Sequence, residues 1–518
     1  MKHYLITLLL SLLSITCFAQ TGSAITYKNP VIAGDFADPS VIRVGDIFYA
    51  AGTSSEWAPA YPIYTSNDLI NWQYVGPVFN QLPSWTMGSF WAPELYHRNG
   101  TFYVYYTARR KSDQRSYIGV ATTRDLKKGF TDHGCLLEWT NEAIDAFVLE
   151  DAGKLFITWK AYGLDKGKAT QILGRELTPD GLKVNGEVFT LLQADPNNWE
   201  AGGAEGQAIF KRGRYFYMTY SGNACCGPDC NYQVGLARAE KLQGPWEKYA
   251  GNPVLKSGEN WKCPGHGTVV TTPDNRYFYL HHAYKSSGFT FTGREGVLGE
   301  LIWDSKTDWP TFRYGDTTPA QAAAPFTIAQ KQNLNVSAKF EKGEKPLSWV
   351  WDVSQPAPEF SLQNGYLQLP TSMVSLPAGN FLGLVVKNGT YAFTAEFQPQ
   401  NKVLQSVCIY GDSKNALGFG INQDSLELWQ VKDGRREVLQ KLSVPGKNSP
   451  ITLTLSSRQG KSYQFSWKNK NGKSGSMGKE PLDGAFLPRW DRAPRVGISV
   501  KGENQAAGKI GYVLLQYE

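Results

Sequence analysis

Five segments of this chain repeat one design, a short strand, a tight polar turn and an aromatic-rich strand: "VGDIFYAAGT", "RNGTFYVYYT", "DAGKLFITWK", "KRGRYFYMTY" and "PDNRYFYLHH". Anchored at Gly45, Gly100, Gly153, Gly213 and Asn275, they recur at intervals of 55, 53, 60 and 62 residues. A unit repeated at this length buries its apolar face only by packing against its copies. The remainder of each unit also rhymes. Leu69, Leu126, Leu177 and Leu242 lie 24 to 29 residues past the first four turns, which leaves room for a third strand and a loop into a fourth. Four strands taken five times predict a five-bladed β-propeller. A β-sandwich would show similar short strands without this fixed order.

With 518 residues the chain exceeds what one hydrophobic core usually serves, so two domains are expected. The 52 glycines, 28 prolines and abundant aromatics favour strands joined by tight turns, an all-β protein throughout. We place the propeller at residues 24–315. The stretch "GDTTPAQAAAPFTIAQKQN" is Pro- and Ala-rich without periodicity, and its chemistry is that of a linker over 316–332. From Asn333 to the end, "TYAFTAEFQP", "ALGFGINQDSLELWQV" and "PITLTLSS" alternate polar and apolar residues between turns, which predicts a β-sandwich over 333–518.

The first residues have the make-up of a signal peptide over 1–19: Lys2, the apolar "YLITLLLSLLSIT" and a small-residue site ending at Ala19. Cleavage near Gln20 would deliver the protein to the periplasm or the medium. Lipid modification of Cys17 is the other reading. No later apolar run is long enough to span a membrane. The formal charge of +7 arises from scattered basic residues rather than a stripe, which argues against nucleic acid as a partner. Cys225, Cys226, Cys230 and Cys263 lie near one another in sequence, and an exported chain makes disulfides the leading reading, ahead of reduced thiols or a zinc site. Cys408, inside "SVCIYG", reads as a buried free thiol.

In a propeller the first strand of each blade lines the central channel. Reading back from each turn to the start of that strand gives Asp38, Glu94, Asp145, Glu205 and His266, at offsets of 7, 6, 8, 8 and 9 residues. Similar offsets on strands of one direction predict a ring of polar groups at one mouth. Burying several acids together raises at least one pKa, the preparation a general acid needs. Cleaving a glycosidic bond takes one protonated carboxyl and one ionised carboxylate. A turn-shaping role for Asp38 and a structural one for Asp145 or Glu205 are the alternatives; for Glu94 a packing or hydrogen-bonding role is the leading reading.

The segments "NPVIAGDFADPSVIRVGDIFY", "YTSNDLINW", "FWAPELY", "AIDAFVLED", "AEGQAIFKRGRYFYMTYSG" and "GHGTVV", in order over about residues 28 to 310, resemble glycoside hydrolase family 43. The resemblance implies a propeller enzyme trimming arabinan or xylan with inversion, in which Asp38 is the general base, Asp145 tunes and orients the acid, and Glu205 is the general acid. It implies an active-site role for Arg294, against a surface salt bridge, and for His266 a share in holding a hydrated calcium or sodium ion, against a satisfied core histidine. The chemistry itself requires no cofactor. Because sugars present apolar C–H faces, Trp57, Phe90 and Trp91 are candidates for a substrate wall. The region around "WVWD" is similar to the accessory sandwich of many family members. The expected activity is exo-acting release of terminal L-arabinofuranose, with D-xylose release as the alternative. A retaining fructoside hydrolase and a carbohydrate-binding propeller are the rivals.

Overall fold

The computed structural model describes residues 25–331, 333–341, 347–372, 376–423, 425–443, 449–503 and 506–518. The signal peptide, its cleavage near Gln20 and Cys17 lie outside the described residues.

Five antiparallel four-stranded sheets follow one another along the chain. Their first strands are Ser40–Val44, Thr86–Arg98, Ala143–Asp151, Glu205–Arg212 and Trp261–Thr271. Each first strand neighbours the next, and the fifth returns to the first, so the sheets close into a five-bladed propeller. The five repeated turns join first strands to second strands in antiparallel register. All five anchors take the left-handed conformation, with φ of 61°, 73°, 80° and 60° at the glycines and 60° at Asn275. That is the conformation only Gly and, less readily, Asn adopt cheaply, which is why these residue types mark the period. Between the blades lie apolar clusters such as Phe147, Leu149, Ile209 and Met218.

The ring is tied where the chain enters and leaves it. Thr26–Lys28 pairs antiparallel with Gln321–Ala323, and the Val31 and Ile32 amides donate to the Gly296 carbonyl in the fifth blade. The segment expected as a linker over 316–332 therefore does not hang free; part of it is a strand fastened to the propeller.

The second half is a sandwich of an eight-stranded and a six-stranded sheet. Tyr391–Gln398 and Ile451–Arg458 bury every other residue, as a strand with one face on a core must. Phe393, Phe419, Leu453, Phe465 and Val496 meet in that core. The two halves are joined by a strand pair, Trp351–Asp352 on Trp57–Ala58. Trp57 is 2% exposed, packed on Phe381 and Tyr410 with the Arg495 guanidinium 5.0 Å from its ring. Arg495 also holds Asp35 at 3.0 Å, an ion pair buried between the domains.

Candidate active site

At one mouth of the propeller channel the inner strands leave regular β geometry together. Asp38, Ala92, Asp145 and His266 have φ of 51°, 40°, 59° and 37°, and Gly206, beside Glu205, has 59°. Register shifts fall at the same level, between Trp91 and Glu94, Ile144 and Phe147, Glu205 and Ala208, and Gly265 and Gly267. Left-handed non-glycine residues cost about 1–3 kcal/mol each and persist where the surroundings enforce them. Here Thr107 accepts the Asp145 amide at 3.2 Å, and Gln207 donates to the Asp145 carbonyl at 2.7 Å, so two neighbouring blades pin it. The bulges turn side chains that would line the shaft towards the opening.

The opening is a pocket of about 420 Å³ whose lining includes Asp38, Asp145, Glu205, His266 and Arg294. The structure thus brings together five of the residues singled out in the sequence. Trp91 joins them. Its indole N–H donates to Asp491 at 3.3 Å, and its ring stands edge-on to Trp490 at 5.8 Å. Three expectations need correction. Trp57 lies in the domain interface described above. Phe90 is 0% exposed, its ring packed on Tyr61, while its main chain bonds to Ser54 and Ser55. Glu94, placed in the ring at the mouth by its offset, is absent from the pocket lining; it is buried and accepts from Ser40 at 2.6 Å, the hydrogen-bonding role expected of it, and burial raises its pKa to about 8. The bulge between Trp91 and Glu94 puts Ala92 at the level that counting had assigned to Glu94.

Each acid in the pocket has its own neighbours. Asp38 accepts from the Thr53 hydroxyl at 2.7 Å and from Arg294 at 3.0 Å. Burial works to raise its pKa, but Arg294 foremost holds the carboxyl far below its ordinary range. His282, whose pKa burial pulls down to about 4, is neutral at ordinary pH, and its Nδ1 accepts the Asp38 amide at 3.1 Å. Glu205 stands 2.8 Å from the Lys160 ammonium and accepts from the Tyr232 hydroxyl at 2.8 Å. These two outweigh burial and lower its pKa. Asp145 has no such partner, and burial with the Glu205 charge raises its pKa, against the pull of His266. A raised carboxyl was expected as the preparation of the general acid, the role the resemblance gives to Glu205; of these three it is Asp145 that is raised, while Lys160 keeps Glu205 low.

Lys160, Tyr232, Thr53, Trp490 and Asp491 were not singled out from the sequence. Lys160 leaves a faint signal, a lysine between Trp159 and Ala161 at the far end of the strand "KLFITWKA", whose other lysine, Lys154, lies at the turn. Glu142 also lines the pocket, 3.7 Å from Lys160, and burial raises its pKa. Trp490 and Asp491 come from the sandwich, and the Asp491 carbonyl accepts from Arg294 at 3.2 Å.

The metal expectation does not fit the residues. Among the described residues no group of three or more His, Cys, Asp or Glu side chains is placed to hold an ion. His266 turns Nδ1 towards Asp38 and Asp145, at 3.6 and 3.9 Å. The four neighbouring cysteines form disulfides, as expected, and the structure gives the pairing that the sequence left open: Cys225 with Cys226, and Cys230 with Cys263. Cys408 is a buried free thiol.

A xylan 1,3-β-xylosidase of a Vibrio species is 27% identical over 333 residues, 58% of this chain and 60% of that protein. An extracellular exo-α-(1→5)-L-arabinofuranosidase of Cellvibrio japonicus is 26% identical over 53% of this chain and 86% of that protein. In three dimensions the chain is similar to a xylan β-1,4-xylosidase from Bacillus halodurans, with a TM-score of 0.83, 20% identity, and coverage of 94% of this chain and 99% of that one. That likeness establishes a shared fold of propeller plus sandwich. The model of the glycosyl hydrolases family 43 matches residues 27–310, more than half of the 518 residues, and the chain belongs to that family.

Proposed function

We propose that this protein is an exo-acting, inverting glycoside hydrolase that releases terminal L-arabinofuranose from plant cell-wall polysaccharides or their fragments. One observation carries the reading: three carboxyl groups on separate inner strands line one pocket, each beside different partners, Arg294 at Asp38, Lys160 and Tyr232 at Glu205, and His266 at Asp145. In this reading Asp38, kept ionised beside Arg294, takes the proton of an attacking water. Glu205 delivers a proton to the leaving oxygen, and Asp145, sharing that proton with it, tunes and orients it. Single-point inversion needs an ionised base and a protonated acid on opposite sides of the sugar carbon. Asp38 and Glu205 are held by separate partners, Arg294 for the one and Lys160 with Tyr232 for the other, which supports separate roles; Lys160 favours ionised Glu205, so in this reading the proton that Glu205 delivers comes by way of Asp145, the carboxyl whose pKa is raised.

Exo action is supported by the sandwich, which adds Trp490 and Asp491 to the lining of the pocket. Release of β-D-xylose units is the second reading, favoured by the relative named as a β-xylosidase. Export is supported by the two disulfides, which persist in oxidising compartments. Among the described residues no helix is long and apolar enough to cross a membrane.

A panel of nitrophenyl glycosides separates the readings. We expect turnover of the α-L-arabinofuranoside, with NMR of the first product revealing the inverted anomer. Turnover of the β-D-xyloside alone would replace arabinose by xylose, and a retained anomer would remove Asp38 from the role of base.

A further inference from the structure

The two disulfides do different physical work. Cys230–Cys263 joins residues 33 apart and ties a loop of the fourth blade to the inner strand of the fifth. It removes much conformational freedom from the unfolded chain. Cys225–Cys226 joins neighbours in sequence, closes no loop, and removes almost none. Nor is it needed to position its loop. The Asn223 amide is held by the Glu200 carbonyl at 3.0 Å, Asn231 by the Ala224 carbonyl at 2.9 Å, and Gly227 by the Tyr284 hydroxyl at 3.1 Å. An explanation from stability is therefore missing, and the surroundings supply another.

Both sulfur-bearing residues line the pocket that holds Asp38, Asp145 and Glu205. Around them are the apolar side chains of Trp91, Ile144, Leu164 and Trp490. Leu164 is 64% and Trp490 57% exposed, an unusual amount of large apolar surface to leave uncovered beside three buried acids. The main chain of Trp490 sits against the Cys226-Gly227 turn, since a Cβ on Gly227 would lie 3.5 Å from the Trp490 carbonyl oxygen. The disulfide and the sandwich-borne tryptophan are thus parts of one wall. A saccharide ring has an apolar C–H face that needs such a surface. A pair of bridged sulfurs is polarizable, carries no donor proton and cannot rotate, so contact with it sacrifices little side-chain freedom.

We propose that the Cys225–Cys226 disulfide is a substrate-binding surface, which together with Trp490 receives the C–H face of a saccharide ring. This deepens the proposed glycosidase reading and rests on it for the nature of the ligand.

The test uses the full chain carrying Glu205→Gln, so that bound oligosaccharide is not consumed, and measures calorimetrically the binding of α-1,5-linked arabinotriose and β-1,4-linked xylotriose. Adding Cys225→Ala with Cys226→Ala should weaken the Kd of the bound trisaccharide about tenfold while the Tm stays within a few degrees. Cys225→Ser with Cys226→Ser, which puts polar hydroxyls on the wall, should weaken it at least as much. Cys230→Ala with Cys263→Ala should lower the Tm and leave the Kd within twofold. An unchanged Kd in both Cys225/Cys226 variants overturns the proposal, as does a loss of binding that only follows a fall in Tm. If the Glu205→Gln protein binds neither trisaccharide, the glycosidase reading falls and this one with it. Tight binding that ignores the disulfide removes only this one.

Discussion

Asp38, Asp145 and Glu205 share one pocket yet differ in proton affinity, because different groups stand beside them. Arg294 overrides burial at Asp38, Lys160 overrides it at Glu205, and His266, at 3.9 Å, does not at Asp145. In the proposed reaction the base must be ionised and the acid protonated, so the base sets the acidic limb of the pH profile and the acid the alkaline limb. Arg294→Met removes the strongest of the groups that oppose burial at Asp38, and the acidic limb should move to higher pH by about one to three pH units, the usual effect of an adjacent opposite charge. Two variants should move the alkaline limb in opposite directions. Lys160→Met removes the cation that favours ionised Glu205 and should shift the limb upward; Asp145→Asn removes a like charge and should shift it downward. Profiles of kcat/KM against pH check all three, and a shift of the same sign in the last two would contradict the assignment of Glu205. Glu205→Gln should lower turnover of natural oligosaccharides by roughly 10²–10⁴-fold, while a dinitrophenyl glycoside, whose leaving group departs unprotonated, is largely spared. Equal losses on both substrates would exclude Glu205 as the donor. The carboxylates were legible in the sequence because a strand-start acid recurs in register with a turn. Lys160 was not, because one lysine in a strand names no partner until Glu205 arrives from the next blade.

At the scale of the element, the inner strands do two jobs that conflict: regular pairing towards the turn and bulged, left-handed backbone at the mouth. The repeated turns fix the first job locally, which is why five strands could be placed from the spacing of four glycines and one asparagine. The bulges come from contacts between blades, and counting residues back from a turn cannot foresee them. That is how Glu94 came to be expected at the mouth, where Ala92 stands. Two glycines separate the effects experimentally. Gly100→Ala places a methyl in open space at φ 73°, so its cost is conformational alone, about 1–2 kcal/mol. Gly206→Ala meets the same backbone cost, and its Cβ would also lie 2.6 Å from Cγ of His266. We expect thermal unfolding to register both, Gly206→Ala more strongly, and kcat to fall only in Gly206→Ala because His266 must give way beside Asp38 and Asp145. An active Gly206→Ala enzyme would show that the position of His266 is not critical. The Cys230–Cys263 bridge acts at this scale too, and its loss should cost about 2–5 kcal/mol by denaturant unfolding.

Across the whole molecule the sandwich is part of the pocket's construction. Arg495 on the sandwich pairs with Asp35 on the propeller, and from the same stretch Asp491 accepts from Arg294, which in turn holds Asp38. Removing one partner of a buried ion pair strands the other, typically at about 3–5 kcal/mol. Arg495→Met should therefore lower the unfolding free energy by that order and reduce kcat as well, since the chain that places Trp490 and Asp491 loses its anchor. Retained kcat at reduced stability would confine the interface to a structural role. Trp57 makes the same point from the other side. It has the aromatic character of a sugar wall, and the structure uses it as the seam between the domains, against Phe381 and Tyr410.

The sequence by itself determined the blade period, the order of propeller and sandwich, and three acids at inner-strand starts, because each of these is written in local spacing: turn residues that must be Gly or Asn, and alternation that must follow the pleat. Only the tertiary structure decided which acid keeps its proton, which aromatics face the pocket, and that Trp490 and Asp491, some 450 residues from Asp38 along the chain, close its rim. Proton affinity and exposure depend on what lies within a few ångströms in space, and those neighbours come from other blades and from the other domain.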